Sequence, residues 1–297
     1  MAQKFDIGLN AKINEFAKKF SIARTATNDS DVFEDFGNYV IASNLLEEEI
    51  ENIKSVSTNK AQGIDGVVII INNILVSEEA DLEKFGPTES IKFKIGFIQS
   101  TIENSFNEQK LSAFTDEVVK FLIGEIAIEP YSTIYKKLLD ETGNFIDRIE
   151  ETPHVSLFFL SARTSHNIDD DKIKSEENKI TSRNEIKNKC ILDKFFVLQN
   201  EDIKNEYEKI SKFHTVQLKL ENSITLSPVK NVEISLLATI KFLELKKLIL
   251  TSDNNLKEKL FVENVRNYIG NTPVNTDIKK TLDDTSKRSY FPFLNNG

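Results

Sequence analysis

Cysteine, histidine and long apolar runs are what this 297-residue chain has least of, and each shortage removes a class of protein. One cysteine, Cys190, cannot make an internal disulfide, and three scattered histidines (His154, His166 and His214) lack the ligand spacing of a zinc site. No apolar run approaches the roughly 20 residues that span a bilayer. The opening residues Met1-Ala2-Gln3-Lys4-Phe5-Asp6 lack the apolar centre of a signal peptide, so the chain reads as cytoplasmic and without a membrane role. Neither a phosphate-binding glycine loop, a G-x-S-x-G elbow, a Ser/His/Asp arrangement nor an internal repeat is found. Positive charge is in deficit too. A formal net charge of −9 argues against a surface that binds nucleic acid everywhere, and leaves room for a narrow basic cleft on an acidic body.

What is present is enough apolar material, 39% of residues, to fill a core. Residues 5 to 20 are amphipathic. Asp29-Ser30-Asp31 can cap a longer helix whose stripe is Val32, Phe36, Tyr39, Val40, Leu46 and Ile50. Residues 63 to 76 read as a β-branched strand that Asn72-Asn73 turns back on itself, and after a charged insert with Gly86-Pro87 a further strand covers 91 to 99. Leu111, Phe114, Val118, Phe121 and Leu122 predict a helix ending near Gly124. Val155 to Leu160 is a fully apolar strand, and 164 to 189 is a solvated helix or mobile insert capped by Asp169-Asp170-Asp171. Order resumes at Cys190 to Leu198. A helix over 200 to 212, strands over 213 to 220 and 231 to 237, and helices over 240 to 250 and 256 to 269 follow, the last closed by Gly270-Asn271. The element order predicts an α/β fold with a central mixed sheet flanked by helices in residues 1–215, followed by the start of a second α/β module in 216–297.

Two segments carry chemistry: Gly63-Ile64-Asp65-Gly66 at the mouth of one strand, and Ile95-Gly96-Phe97-Ile98-Gln99-Ser100-Thr101 along another. Hydrolysis of a phosphodiester with a hard cation needs oxygen ligands from two segments, a positioned water and a positive group at the transition state. Asp65, the Gln99 side-chain carbonyl and the Ser100 main-chain carbonyl are candidate ligands, and Glu34 on the first long helix is a further ligand or water-orienting acid. Alternation puts Gln99 and Thr101 on one side of the strand and Ser100 on the other. The plain structural reading is that Gly63 and Gly66 make a turn, Asp65 is a turn acid and Gln99 ends a strand.

Phe33-Glu34, Gly63-Ile64-Asp65-Gly66 and Phe97-Ile98-Gln99-Ser100 together resemble the Mrr-type branch of the PD-(D/E)XK nuclease superfamily. Further on, Leu260-Phe261-Val262-Glu263-Asn264-Val265-Arg266-Asn267-Tyr268-Ile269-Gly270, then Val274-Asn275-Thr276-Asp277-Ile278 with Thr281-Leu282, then Phe291-Pro292-Phe293-Leu294-Asn295-Asn296-Gly297 resemble the signature blocks of the AIPR (abortive infection phage resistance) family. The resemblance runs from about residue 30 to the last residue. It implies a phage-defence protein with a restriction-endonuclease-like domain, Mg²⁺ or Mn²⁺ as cofactor and DNA or RNA as substrate. A phage protein as trigger and a homo-oligomer are compatible with it. Because such proteins continue well beyond the N-N-G block, it also implies an N-terminal fragment or a shortened member.

The chain departs from that pattern in two ways: the 34 positions from Asp65 to Gln99 are long for the motif, a length that the 77 to 90 insert explains, and Thr101 stands where Q-x-K has lysine, a loss worth about 10² to 10³ in rate by analogy with removing one oxyanion donor. Lys92 and Lys94 have the parity of Ser100 and face the wrong way, whereas Lys110, early in the next helix, can reach back. Two non-catalytic readings compete: a degenerate nuclease that binds nucleic acid or a phage protein as a sensor, and an oligomeric scaffold. Elsewhere, Arg266 reads as a bracing ion pair, Asn275-Thr276 as an N-cap, Asn295-Asn296-Gly297 as a turn and His154 as a strand-boundary residue. The mixed charges Arg163, Lys172, Lys174, Lys179, Arg183, Lys187 and Lys189 read as a solvated surface.

Overall fold

The most deeply buried strand signal is Gly66–Ile71 (β1), because Val67, Val68, Ile69, Ile70 and Ile71 supply β-branched side chains to both faces, and all six positions are buried. Burying each such side chain contributes about 1.5–3 kcal/mol, so this segment seeks the middle of a three-layer fold. In the computed structural model, which describes residues 5–58, 63–103, 108–162, 170–211, 218–226, 235–250, 254 and 273–286, it does so. Asn72 and Asn73, both left-handed (φ 47° and 68°), reverse the chain into Ile74–Val76 (β2), as the sequence predicts.

The central sheet has the order β2-β1-β3-β4-β5, with Phe93–Thr101 as β3, His154–Ser161 as β4 and Ile191–Leu198 as β5. β1 is antiparallel to β2 and β3, while β3, β4 and β5 run parallel. The chain is therefore α/β, with a five-stranded mixed sheet flanked by helices. One face carries Val68, Ile70, Ile98, Phe158 and Leu160 against Ile7–Lys19 (α1), Asp29–Leu46 (α2) and Asn200–Ile210 (α7). The other carries Val67, Ile69, Phe97, Leu157 and Phe159 against Glu108–Ile123 (α3), Tyr131–Leu138 (α4), Asp170–Thr181 (α5) and Asn184–Lys187 (α6).

α2 departs from the single stripe expected of it. Its N-cap is Asn28, Ile50 lies past its end, and from Phe36 to Ser43 every residue is buried, because it is wedged between the sheet and the α1/α7 pair. Gly37 permits that closeness: a Cβ there would stand 2.6 Å from Ser100 Oγ and 2.9 Å from Leu160 Cδ2. α4 is unforeseen, although Tyr131, Ile134, Tyr135 and Leu138 have helical spacing after Pro130. Residues 170–187 form helices that dock through the buried Glu176, Ile180 and Ile186 rather than a mobile insert.

Beyond α7, Leu220–Thr225 (β6) and Leu236–Ile240 (β7) pair antiparallel as a separate sheet, and Phe242–Ile249 (α8) follows. Of the strands expected over 213 to 220 and 231 to 237, residues 213–217 and 231–234 lie outside the described residues. Pro273–Asp283 (α9) begins before Asn275-Thr276, so that pair lies inside a helix instead of capping one. The helix at 256 to 269 with Arg266, the Gly270-Asn271 cap and the turn at 295–297 fall outside the described residues. Among the described residues, no helix is long and apolar enough to cross a membrane.

Candidate functional site

Asp65 is fixed by its main chain before its carboxylate does anything. Its N–H donates to Ile98 O at 2.8 Å, and its carbonyl accepts from Thr58 N at 3.2 Å and from Asn38 Nδ2 at 3.1 Å. Asn38 belongs to α2 and is 1% exposed, and Gly66 makes room for it: a Cβ on Gly66 would lie 2.1 Å from Asn38 Oδ1. The helix is thereby pinned to the mouth of β1.

The carboxylate then reaches across to the end of β3. Oδ2 accepts from Ser100 N at 2.6 Å and from Gln99 Nε2 at 2.9 Å, while Oδ1 accepts no hydrogen bond among the described residues. Burial and the negative charge of Glu34 push this carboxyl up to about 7, against the Ser100 N–H, the Lys110 ammonium and the Gln99 amide, which favour its ionised form. Four expected residues, Glu34, Asp65, Gln99 and Ser100, are thus gathered at one place, together with Lys110.

Two of the expected roles change. The sequence suggests that Ser100 offers its main-chain carbonyl; here its N–H makes the contact, and the carbonyl accepts from Gln99 Nε2 at 3.2 Å. Thr101, in the slot of the motif lysine, is buried with Oγ1 accepting from Glu103 N at 3.3 Å, and among the described residues no hydrogen bond ties it to Asp65. A positive charge is present from Lys110. It projects from the first turn of α3, its Nζ lies 2.7 Å from Glu103 Oε1, and its charge acts on Asp65. Asn38 escaped the sequence reading, although an amide between Gly37 and Tyr39 in an apolar helix is itself a signal of a buried polar task.

Three buried polar atoms of these elements have no hydrogen bond among the described residues: Gln99 Oε1, Asn38 Oδ1 and Ser100 Oγ, the last lying toward Gly37 on the other side of β3 from Gln99. A buried acceptor left open costs about 1–3 kcal/mol, and Gln99 Oε1 belongs to the amide that already contacts the Asp65 carboxylate. The candidate ligands are all oxygen: the Asp65 and Glu34 carboxylates and the Gln99 amide carbonyl. Mg²⁺ and Mn²⁺ accept such sets, and Mg²⁺ commonly uses only one or two carboxylates with water and substrate phosphate. Among the described residues no three His, Cys, Asp or Glu side chains gather as a self-sufficient metal cage.

Of the mixed charges expected to be solvated, Lys172 and Lys179 pair with the buried Glu176 at 3.2 and 2.8 Å, and Lys179 also reaches Asp116, while Lys174, Arg183, Lys187 and Lys189 are exposed. Arg163 lies outside the described residues. Comparison with family models, curated proteins and solved structures finds no match for this chain.

Proposed function

We propose that this chain is a phage-defence nuclease of the AIPR type, hydrolysing nucleic-acid phosphodiesters with a divalent cation at Asp65 and working in the cytoplasm. The observation that carries the reading is the meeting of Glu34 from α2, Asp65 before β1, Gln99 at the end of β3 and Lys110 from α3 around one buried carboxylate. Those residues lie far apart in sequence, and a scaffold has no use for two acids held together against their repulsion.

Asp65 Oδ1 and Gln99 Oε1 are the atoms available to hold Mg²⁺ or Mn²⁺, with Glu34 beside them. A bound ion would supply Lewis-acid polarisation of the phosphoryl oxygen and a more acidic water. The protein's own part is then electrostatic and orienting. Ser100 N and Gln99 Nε2 fix Asp65 Oδ2 so that the other oxygen faces the substrate side. Glu34 accepts a hydrogen bond from the attacking water and takes up its proton. Lys110 offsets charge that accumulates on the phosphoryl oxygens, the task that Thr101 cannot perform. A second reading, binding without cleavage, draws on the neutral Thr101.

Cleavage of single- and double-stranded DNA and of RNA in Mg²⁺ or Mn²⁺ tests both readings, comparing the parent with Asp65→Ala and Lys110→Met. Cutting by the parent that both substitutions abolish supports the nuclease. Binding of nucleic acid by a folded parent that cuts nothing supports the sensor. If a folded parent neither cuts nor binds, both readings fail.

A further inference from the structure

At the opposite end of the sheet a cavity of about 510 Å³ opens where β1 ends and β3 and β4 begin. Lys94 and Gln99 are separated by roughly 16 Å along β3, so this space is distinct from the Asp65 centre. Lys94 and His154 are register partners on the parallel strands β3 and β4, which gives them one face, and Ser156 follows on that face. A bulge between Val155 and Ser156 shifts β5 so that Ser156 pairs with Lys194, and Asp193, the extra residue, bonds to His154 Nδ1. Bulges that re-aim a side chain recur beside working sites. Asp193 thus occupies one imidazole nitrogen and leaves Nε2 as the other polar atom of the ring.

The turn between β1 and β2 closes the cavity. Asn72 is fully engaged, with Oδ1 accepting from Lys92 N at 2.9 Å and Nδ2 donating to Ser90 O at 2.8 Å. Its neighbour Asn73 lines the cavity, is 7% exposed, and its Nδ2 has no acceptor among the described residues. Lys92 is held only loosely, 3.5 Å from Glu150 and 3.9 Å from the lining acid Glu151, in half-exposed pairs that exchange readily. Two lysines and an anchored imidazole line one void beside the acids Glu151 and Asp193, with the buried, unpaired Asn73 amide in its wall; the basic groups are the parts of an anion site, and the volume suits a small metabolite.

We infer that this cavity binds a small oxyanion, a phosphate ester or a carboxylate, through Asn73, Lys92, Lys94 and His154. Binding here is independent of the Asp65 centre. The test is a titration of the whole isotope-labelled chain in metal-free buffer at constant ionic strength, with inorganic phosphate in one arm and succinate in the other, following the His154 ring resonances. His154→Gln identifies those resonances by their loss. A saturable shift is expected in at least one arm, and the tighter arm names the headgroup. Lys94→Met, which keeps the aliphatic stem, and Asn73→Asp, which the left-handed turn tolerates, should each weaken it about tenfold, whereas Asp65→Ala should leave it unchanged. A shift that never saturates in either arm, curves unaltered in both variants, or loss of binding in Asp65→Ala would each overturn the inference.

Discussion

At the end of the sheet where β1 starts and β3 finishes, the buried atoms without partners include two acceptors, Gln99 Oε1 and Asn38 Oδ1, beside a carboxylate; at the other end the open atom is a donor, Asn73 Nδ2, beside lysines. β1 and β3 run between the two ends. The difference comes from α2, whose N-terminal half lies on β3 at Gly37–Ser100, while its C-terminus turns away at the left-handed Glu47 (φ 56°) and leaves a void lined by Leu45.

The largest effect that would break this contrast is on cleavage. Asp65→Ala should lower Mg²⁺-dependent cutting by about 10³-fold and Lys110→Met by about 10²-fold, whereas Lys94→Met should leave it within about twofold, as single-turnover assays would read. Adding Thr101→Lys to Lys110→Met returns an ammonium to the strand and should recover part of the loss. No recovery would remove Lys110 from the cation role.

Next comes stability against pH. The Asp65 carboxyl sits at about 7 when folded and near 3.8 when unfolded, so below about pH 4 both states are protonated and nothing is lost. As pH rises from about 4 to about 7 the unfolded chain releases its proton first, and the fold loses stability until the folded group also ionises. Asp65→Asn should therefore match the parent near pH 4 and exceed it by a few kcal/mol near pH 8 in denaturant titrations. Mg²⁺ should stabilise the parent near pH 8 and leave the variant unmoved.

Smaller effects sharpen the same comparison. Gly66→Ala drives a methyl into Asn38 Oδ1 and should cost about 1–3 kcal/mol, more than Gly96→Ala, whose methyl meets the movable end of Leu45 at 2.5 Å. Lys92→Ala removes only half-exposed ion pairs and should change stability by less than about 0.5 kcal/mol.

Much of the fold was legible because its signals are local. The apolar run into Asn72-Asn73 specifies a strand and its return, and the spacing from Leu111 to Leu122 specifies α3, which runs to Ile123 before the left-handed Gly124. α4 was missed because eight residues between long loops give a short period to read. At the site, Asp65 and Gln99 stood out by residue type, whereas Asn38 sat within an apolar helix and drew no notice. The separate roles of Ser100 N–H and Thr101 Oγ1 depend on hydrogen bonds that no spacing encodes.

The sequence by itself determined the buried strand, the asparagine turn, the amphipathic α3 and the parity that sets Gln99 apart from Ser100, because each depends on neighbours within a few residues. Only the tertiary structure decided that Glu34 and Lys110 act on Asp65, that Thr101 turns to Glu103, and that Lys94, His154 and Asn73 share a cavity. The potential at a side chain is the sum over charges and low-dielectric surroundings brought near in space, and those contributors come from segments tens of residues apart.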